Sequence, residues 1–559
     1  MLGRKRFALA AAATAGLVLV GTIAAQAELT QYPTGFSDEK SADLASQIDP
    51  SKPRNVILII GDGMDDSVIT AARNYEHGAS GRFAALDALP FTGAMTTHGY
   101  KAGEGPDYPI AYVSDSAPTA SAWSTGKKTI DGRISQGPST AANVPGEDYG
   151  TVLEQFKQDG KLVGNVSTAE ITDATPAAAA SHINARACQG PADMANCTSA
   201  KKSEGGKGSI SEQLVDNKID VLMGGGLNRY NQATDAGPTV KEYAESEHGY
   251  RLVEDKDSME AINSLEDGPV LGLFTGGNMT PIYEPLVAQP GGVGGPDTRC
   301  TEADRGDQPS IADMTKKAIE LLDNDEGFFL QAESAMIDKQ EHASDICGAI
   351  GDLKSLDETV QVALDYQEQN PDTLIIVTGD HGHSTQIVGS AGEGRQTATV
   401  QTADGDPMTV AYSTAESGSN HTGTQIRVAA SGPQAANVTG VIDQTDLFAT
   451  MLGRTPSEVG TPTPATPKPA ASVAAVKKIS VKQIKKQGLQ VAVAASSATK
   501  VKVTVKKGAK TLASKNAPTK GGVVKVKVKN AKKGKLKVVV TATGAGGTAT
   551  AKQQVKVTK

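Results

Sequence analysis

Beyond residue 27 the sequence has no apolar run long enough to span a bilayer, which excludes a polytopic membrane protein. It has no C-x-x-C, and its four cysteines (Cys188, Cys197, Cys300 and Cys347) lack the spacing of a thiolate-ligated zinc site. From Val473 onward there is no Phe, Tyr or Trp, no Arg, and no Asp or Glu. A tail without rings has nothing on which a base could stack, which argues against a specific nucleic-acid module. Histidine is scarce as well, eight in 559 residues, so any place where histidines gather carries weight.

The start of the chain reads as an export signal. Arg4-Lys5-Arg6 precede an apolar stretch over 7–23, and Ala25-Gln26-Ala27 offers a small-residue cleavage site. A single uncleaved anchor is the competing reading, and the choice between the general and the twin-arginine route stays open. Cleavage leaves an exported chain with no membrane span, which is periplasmic, cell-wall-associated or extracellular. An even number of cysteines then suits disulfides. The near pair Cys188 and Cys197 most simply bridge each other, leaving Cys300 with Cys347.

Charge divides the chain. Of 55 Lys and Arg, 22 are lysines from Val473 onward, so the rest holds 33 basic residues against all 63 acidic ones. An acidic body with a basic tail implies domains with different partners. The expected organisation is a leader (1–27), an N-terminal arm (28–53), a catalytic domain (54–452), a Pro/Thr-rich linker (453–472) and a Lys-rich β-sandwich (473–559).

Within the body, Asn55-Val56-Ile57-Leu58-Ile59-Ile60 and Thr373-Leu374-Ile375-Ile376-Val377-Thr378 are continuous apolar runs, typical of strands covered on both faces. Further strands are expected over 161–167, 219–223, 270–274, 327–331 and 427–430. Helices are expected over 311–322 and 353–369, and an Ala-rich one from Asp173 through His182 to Arg186. This alternation predicts an α/β fold, a doubly wound, mainly parallel sheet with helices on both faces.

Chemistry-bearing residues follow the strands. Gly61-Asp62-Gly63-Met64 and Gly379-Asp380-His381-Gly382-His383 end the two apolar runs, where open α/β sheets build their sites. Asp62 could equally be a turn residue capping the next helix. Asp338 and His342, four apart, share one face of a helical turn. In Ser114-Asp115-Ser116-Ala117, Ser116 is either a helix N-cap or a nucleophile; no histidine neighbours it in sequence, so a metal would have to activate it. His77, His98, His182 and His248 lie in no such setting and read as surface or core residues. Asp62, Asp338, His342, Asp380, His381 and His421 are too many ligands for one catalytic zinc, and suit two zinc ions about 4 Å apart. Thr175 and Glu333 add oxygen donors better suited to magnesium.

These motifs, together with Asp173-Ala174-Thr175-Pro176, Ile337-Asp338-Lys339-Gln340 and His421-Thr422-Gly423, make the chain from about Asn55 to Leu452 resemble bacterial alkaline phosphatases. The resemblance implies two Zn²⁺ and one Mg²⁺: Asp338, His342 and His421 on one zinc, and Asp62, Asp380 and His381 on the other. Asp62, Thr175 and Glu333 would hold the magnesium. It implies Ser116 as a nucleophile that becomes phosphoserine, Arg186 as the phosphate clamp, and Asp173 and Lys339 acting on the magnesium waters and the phosphate. Phosphate monoesters are the implied substrates, a homodimer the implied assembly, and the cysteine pairing matches the family's two bridges. Alternatives are a phosphodiesterase of the same superfamily and a catalytically silent secreted adhesion protein. A sulfatase is disfavoured, because Ser116-Ala117-Pro118-Thr119-Ala120 keeps the Pro of the C/S-x-P-x-R frame but lacks its Arg.

In the tail, Lys500-Val501-Lys502-Val503-Thr504-Val505 and Val524-Lys525-Val526-Lys527-Val528-Lys529 alternate strictly. About six such segments predict a small immunoglobulin-like sandwich. Its lysines either solubilise the outer face and protect edges or adhere to anionic cell-wall polymers.

Overall fold

The computed structural model describes residues 40–392, 394–414, 419–453, 469–519, 522–544 and 547–559. The leader, residues 28–39 of the arm and residues 454–468 of the linker lie outside them. The chain divides into two compact units, Met1–Thr455 and Pro456–Lys559.

The first unit is built on a ten-stranded sheet. Its strands are Asn55–Gly61 (β1), Phe91–Thr96 (β2), Leu162–Glu170 (β3), Val221–Gly225 (β4), Arg251–Val253 (β5), Val270–Leu273 (β6), Phe328–Ser334 (β7), Thr373–Gly379 (β8), Ile426–Ser431 (β9) and Gly440–Asp443 (β10). The order is β10-β2-β9-β8-β1-β7-β3-β4-β6-β5. Only β9 runs antiparallel to its neighbours β8 and β2; the other pairings are parallel. The seven strands expected from sequence all lie in this sheet. The short β5 and β10 and the half-exposed, Gly-containing β2 lack a continuous apolar run and were not foreseen.

Strand β1 shows why the sheet needs two covers. Ile57 and Ile59 enter one core, with helices Asp66–His77 (α1), Ile311–Leu322 and Ile346–Gln369. Val56, Leu58 and Ile60 enter the other, with Ser116–Thr125 (α2) and Ala174–Ala178 (α3). Five consecutive aliphatic side chains at 0% exposure are each worth about 1.5–3 kcal/mol of burial. The helix expected over 353–369 begins at Ile346, where Asp345 caps it by accepting the Cys347 N–H. Gly348 and Gly351 conceal that first stretch in the sequence.

The Ala-rich helix is a correction. It ends at Ala178, because Thr151 and Asn217 side chains take the carbonyls of Ala179 and Ala180, and Ile183 pairs its backbone with Ile134. Arg186 therefore sits in a loop, its N–H bound to the Gly132 carbonyl. Both disulfides have the expected pairing, Cys188–Cys197 and Cys300–Cys347. Among the described residues no helix is long and apolar enough to cross a membrane.

The second unit is a small, mainly β domain. Ala470–Ala475 (β11), Leu489–Ser496 (β13) and Gly522–Val526 (β16) form one sheet. Lys478–Ser480 (β12), Lys500–Lys507 (β14), Lys510–Ala517 (β15), Gly534–Gly544 (β17) and Gly547–Thr558 (β18) form the other, in the order β12-β18-β17-β14-β15. Alternate Val and Leu side chains of both sheets share one core with Ile484, from a short helix (Val481–Gln487) that the sequence did not announce. The alternation over 524–529 is strand only to Val526.

Candidate active site

Strands β8, β1, β7 and β3 lie side by side, and their carboxyl ends carry the candidate groups. After β1 the chain turns at Gly63 (φ +73°), where a Cβ would come within 3.1 Å of Asp338 and of Glu341 Oε2. The positive φ and that close approach together favour glycine. It leaves Asp62 at the strand end, 1% exposed. The cap of α1 is Asp65, which accepts the Ser67 and Val68 N–H groups, so the capping alternative for Asp62 falls. After β8, Asp380 Oδ1 accepts the N–H groups of Gly63 (2.9 Å) and His381 (2.8 Å), and Oδ2 accepts the Thr119 hydroxyl at 3.2 Å.

Ser116 is the first residue of α2 and not its cap; Asp115 caps, accepting the Ala117 N–H at 2.8 Å. Ser116 Oγ lies 3.3 and 3.4 Å from the two Asp62 oxygens and 3.4 Å from His381 Nε2. The chain thus brings a histidine to Ser116 that sequence neighbourhood did not offer.

Asp338 and His342 lie on one helix, Met336–His342, with His342 Nε2 at 3.4 Å from Asp338 Oδ1. His421 Nε2 is 3.3 Å from the same oxygen and 3.0 Å from His342 Nε2. The Nδ1 atoms of these rings face carbonyls, Ser419 at 3.4 Å and Ser114 at 3.1 Å, and a carbonyl only accepts. Each Nδ1 then carries the proton, and two Nε2 lone pairs meet across 3.0 Å beside a carboxylate. Such a donor set fits a cation. His383 completes this cluster, 3.2 Å from Asp338 Oδ1, but its Nδ1 accepts the Ser384 N–H at 2.8 Å. With Nδ1 accepting, the neutral ring has its proton on Nε2, which lies beside the carboxylate and offers it no lone pair.

Asp62, Asp338 and His381 form a second group of converging ligand atoms. Asp380 adjoins it, its Oδ2 at 3.2 Å from His381 Nε2. Glu333, next to last in β7, accepts the Ser167 hydroxyl and has Thr175 beside it. Burial, and then repulsion from Asp338 and Asp380, pushes Asp62 well above the usual carboxylate range. Burial likewise raises Asp380 to about 6 and Glu333 to about 7. Burial would raise Asp338 too, but Lys339, His383 and His421 outweigh it and hold it well below the usual range. A crowd of buried carboxylates so disposed favours bound cations.

On the open side, Arg186 donates to Asp173 Oδ1 at 2.6 Å and lies 4.0 Å from Asp115 Oδ2. Lys339 Nζ lies 3.1 Å from Asp173 Oδ2, 3.3 Å from Asp338 and 3.8 Å from Asp62. Two cations are thus held through a shared Asp173, and burial notwithstanding, Lys339 is held well above its usual range by Asp173, Asp338 and Asp62. All twelve candidate residues gather at this sheet edge. Asp115, Thr119 and His383 join them without a role predicted from sequence; His383 stands two residues after His381, and Asp115 adjoins Ser116. His182, by contrast, is buried and bound to Ser135 O and Glu154, as a core residue.

Residues 53–420 match the alkaline phosphatase family model. The chain is 44% identical over 444 residues to alkaline phosphatase of Escherichia coli, covering 77% of this chain and 92% of that one. It is 41% identical over 425 residues to streptomycin-6-phosphate phosphatase of Streptomyces griseus, covering 72% and 90%. In fold it is similar to alkaline phosphatase of Thermus thermophilus, at 19% identity and a TM-score of 0.54, covering 76% and 96%. The chain belongs to the alkaline phosphatase family and is a phosphoric monoester hydrolase.

Proposed function

We propose that Ser116 attacks the phosphorus of a phosphate monoester, forms a phosphoserine and is regenerated by water. The observation that carries this is the position of Ser116 Oγ, 2% exposed as a residue and within 3.4 Å of both Asp62 and His381 at the start of α2. Asp338, His342 and His421 would hold one Zn²⁺, Asp62, Asp380 and His381 the other, and Asp62, Thr175 and Glu333 a Mg²⁺. Bound metals would supply Lewis-acid stabilisation of the attacking and leaving oxygens.

The chain's own residues do the rest. The guanidinium of Arg186 fits two non-bridging phosphate oxygens and stabilises the charge that grows on them. A diester would place a substituent against it, so monoesters are preferred. Asp173 holds Arg186 and Lys339 at once, so both cations are positioned before substrate arrives. Comparing a nitrophenyl phosphate monoester with the matching diester tests this reading; faster turnover of the diester would overturn it.

The disulfides fit export to an oxidising compartment. Tyr112 and Val113, 77% and 46% exposed immediately before the Ser114-Asp115-Ser116 motif, give a homodimer an apolar contact beside the site. The basic second unit would hold the exported enzyme on an anionic cell-wall polymer.

A further inference from the structure

The lysines of the second unit are not spread evenly. On the outer face of the three-stranded sheet, β11 and β13 expose Ala, Ser and Gln, and β16 exposes Val523 and a single lysine, Lys525. On the outer face of the five-stranded sheet, Lys478, Lys556 and Lys535 lie in one cross-strand row. Lys506 and Lys537 face each other in the next, and Lys552 follows on β18. Neighbouring strands are about 4.8 Å apart, and like charges directly opposite each other destabilise a sheet.

Edge protection does not explain the pattern. It accounts for Lys478 on β12 and for Lys510 and Lys515 on β15, the outer strands, but not for the lysines of the interior strands β14, β17 and β18. Solubility does not explain it either, since the opposite face carries only Lys525. From Val473 onward there is no Asp or Glu with which to pair them. Repulsion kept in the middle of one sheet is relieved when an external anion lies across it.

We infer that the outer face of the five-stranded sheet, centred on Lys535, Lys537, Lys552 and Lys556, is a binding surface for a phosphodiester-linked polyol chain. This rests on the reading that the second unit holds the enzyme on an anionic polymer. Several features favour such a chain. Lysine ammonium groups act as point charges and need no planar partner, as guanidinium would. The face has no aromatic ring to select bases. Thr541, Thr550 and Gln554 stand among the lysines and can bond polyol hydroxyls.

The test uses the full chain on resin bearing poly(glycerol phosphate), with phosphatase activity of the bound fraction as readout. The face variant carries Lys535→Gln, Lys537→Gln, Lys552→Gln and Lys556→Gln. A control with the same charge change carries Lys482→Gln, Lys485→Gln, Lys486→Gln and Lys525→Gln. Wild type is expected to be retained at low salt and released by added salt, with affinity falling about tenfold or more in the face variant and about twofold or less in the control. Lys→Arg at the four face positions should restore retention, and the Gln variant should melt no earlier than wild type because repulsion is relieved. Equal losses in face variant and control would overturn the face assignment and leave polymer adhesion standing. No retention of wild type would overturn adhesion itself, and tighter binding to duplex DNA at the same salt would overturn the partner. Should the Gln variant melt early, loss of retention in the Arg variant as well would overturn the proposal.

Discussion

Arg186 and Lys339 are both bound by one residue, Asp173, whose Oδ1 takes the guanidinium at 2.6 Å and whose Oδ2 takes the ammonium at 3.1 Å. Between them the two cations hold the Asp173 carboxyl far below the usual range, against the pull of burial. Removing Asp173 therefore leaves Arg186 without its tether. In Asp173→Ala the inhibition constant for inorganic phosphate is expected to rise about tenfold, the equivalent of one lost charge-assisted hydrogen bond at about 1.5 kcal/mol. An unchanged constant would mean that Arg186 is positioned by something else.

His383 has Nε2 3.2 Å from Asp338 Oδ1 and, with Nδ1 accepting the Ser384 N–H, does not offer a lone pair there. His383→Ala should lower metal affinity by about 10–100-fold while leaving the ligand count unchanged. Competition against a graded chelator series reads this directly, with metal content measured after each step. Loss of one full metal equivalent at saturating metal would show instead that His383 is a ligand.

Away from the site, Asp87 is fixed by Arg73 and Arg427, each at 2.8 Å. Burial raises its carboxyl, but the hydrogen bonds from both arginines win and bring it down to about 2. A folded-state value below the unfolded one of about 3.9 adds stability above that pH, and the gain is lost as pH falls towards 2. Asp87→Asn should cost about 1–3 kcal/mol at neutral pH and much less near pH 2. Parallel melting curves of wild type and variant at the two pH values check the sign; a pH-independent difference would contradict it.

The bridge Cys300–Cys347 closes a separation of 47 residues and anchors the start of the helix Ile346–Gln369. Replacing both cysteines by serine should cost about 4 kcal/mol in the chain-entropy account. Chemical denaturation of the pair variant measures it, and a loss below 1 kcal/mol would show that packing around Ile346 and Ile350 holds this region without the bridge.

The fold was legible where a strand is covered on both faces, because β1 and β8 are then short, unbroken aliphatic runs closed by a glycine turn. It was illegible where tertiary contacts override local preference. The alanines after Asp173 favour a helix, yet Thr151 and Asn217 claim the carbonyls that its next turn would use, and Arg186 is delivered by a loop. At the site, groups joined by short spacing, such as Asp338 with His342 or Asp380 with His381, could be paired in the sequence. The approach of His381 to Ser116 joins residues 265 apart, and only the strand order makes it. His383 was in view beside His381, but its role depends on which nitrogen carries the proton, and that is decided by the Ser384 N–H.

The most direct measurement is an acid quench of wild type turning over a nitrophenyl phosphate monoester, followed by peptide mass spectrometry. Phosphate on the peptide bearing Ser116 is the expected result, together with a fall in turnover of at least about 10³-fold in Ser116→Ala at unchanged metal content. Substantial turnover by Ser116→Ala, or phosphate trapped on another residue, would contradict the assignment of Ser116 as the nucleophile.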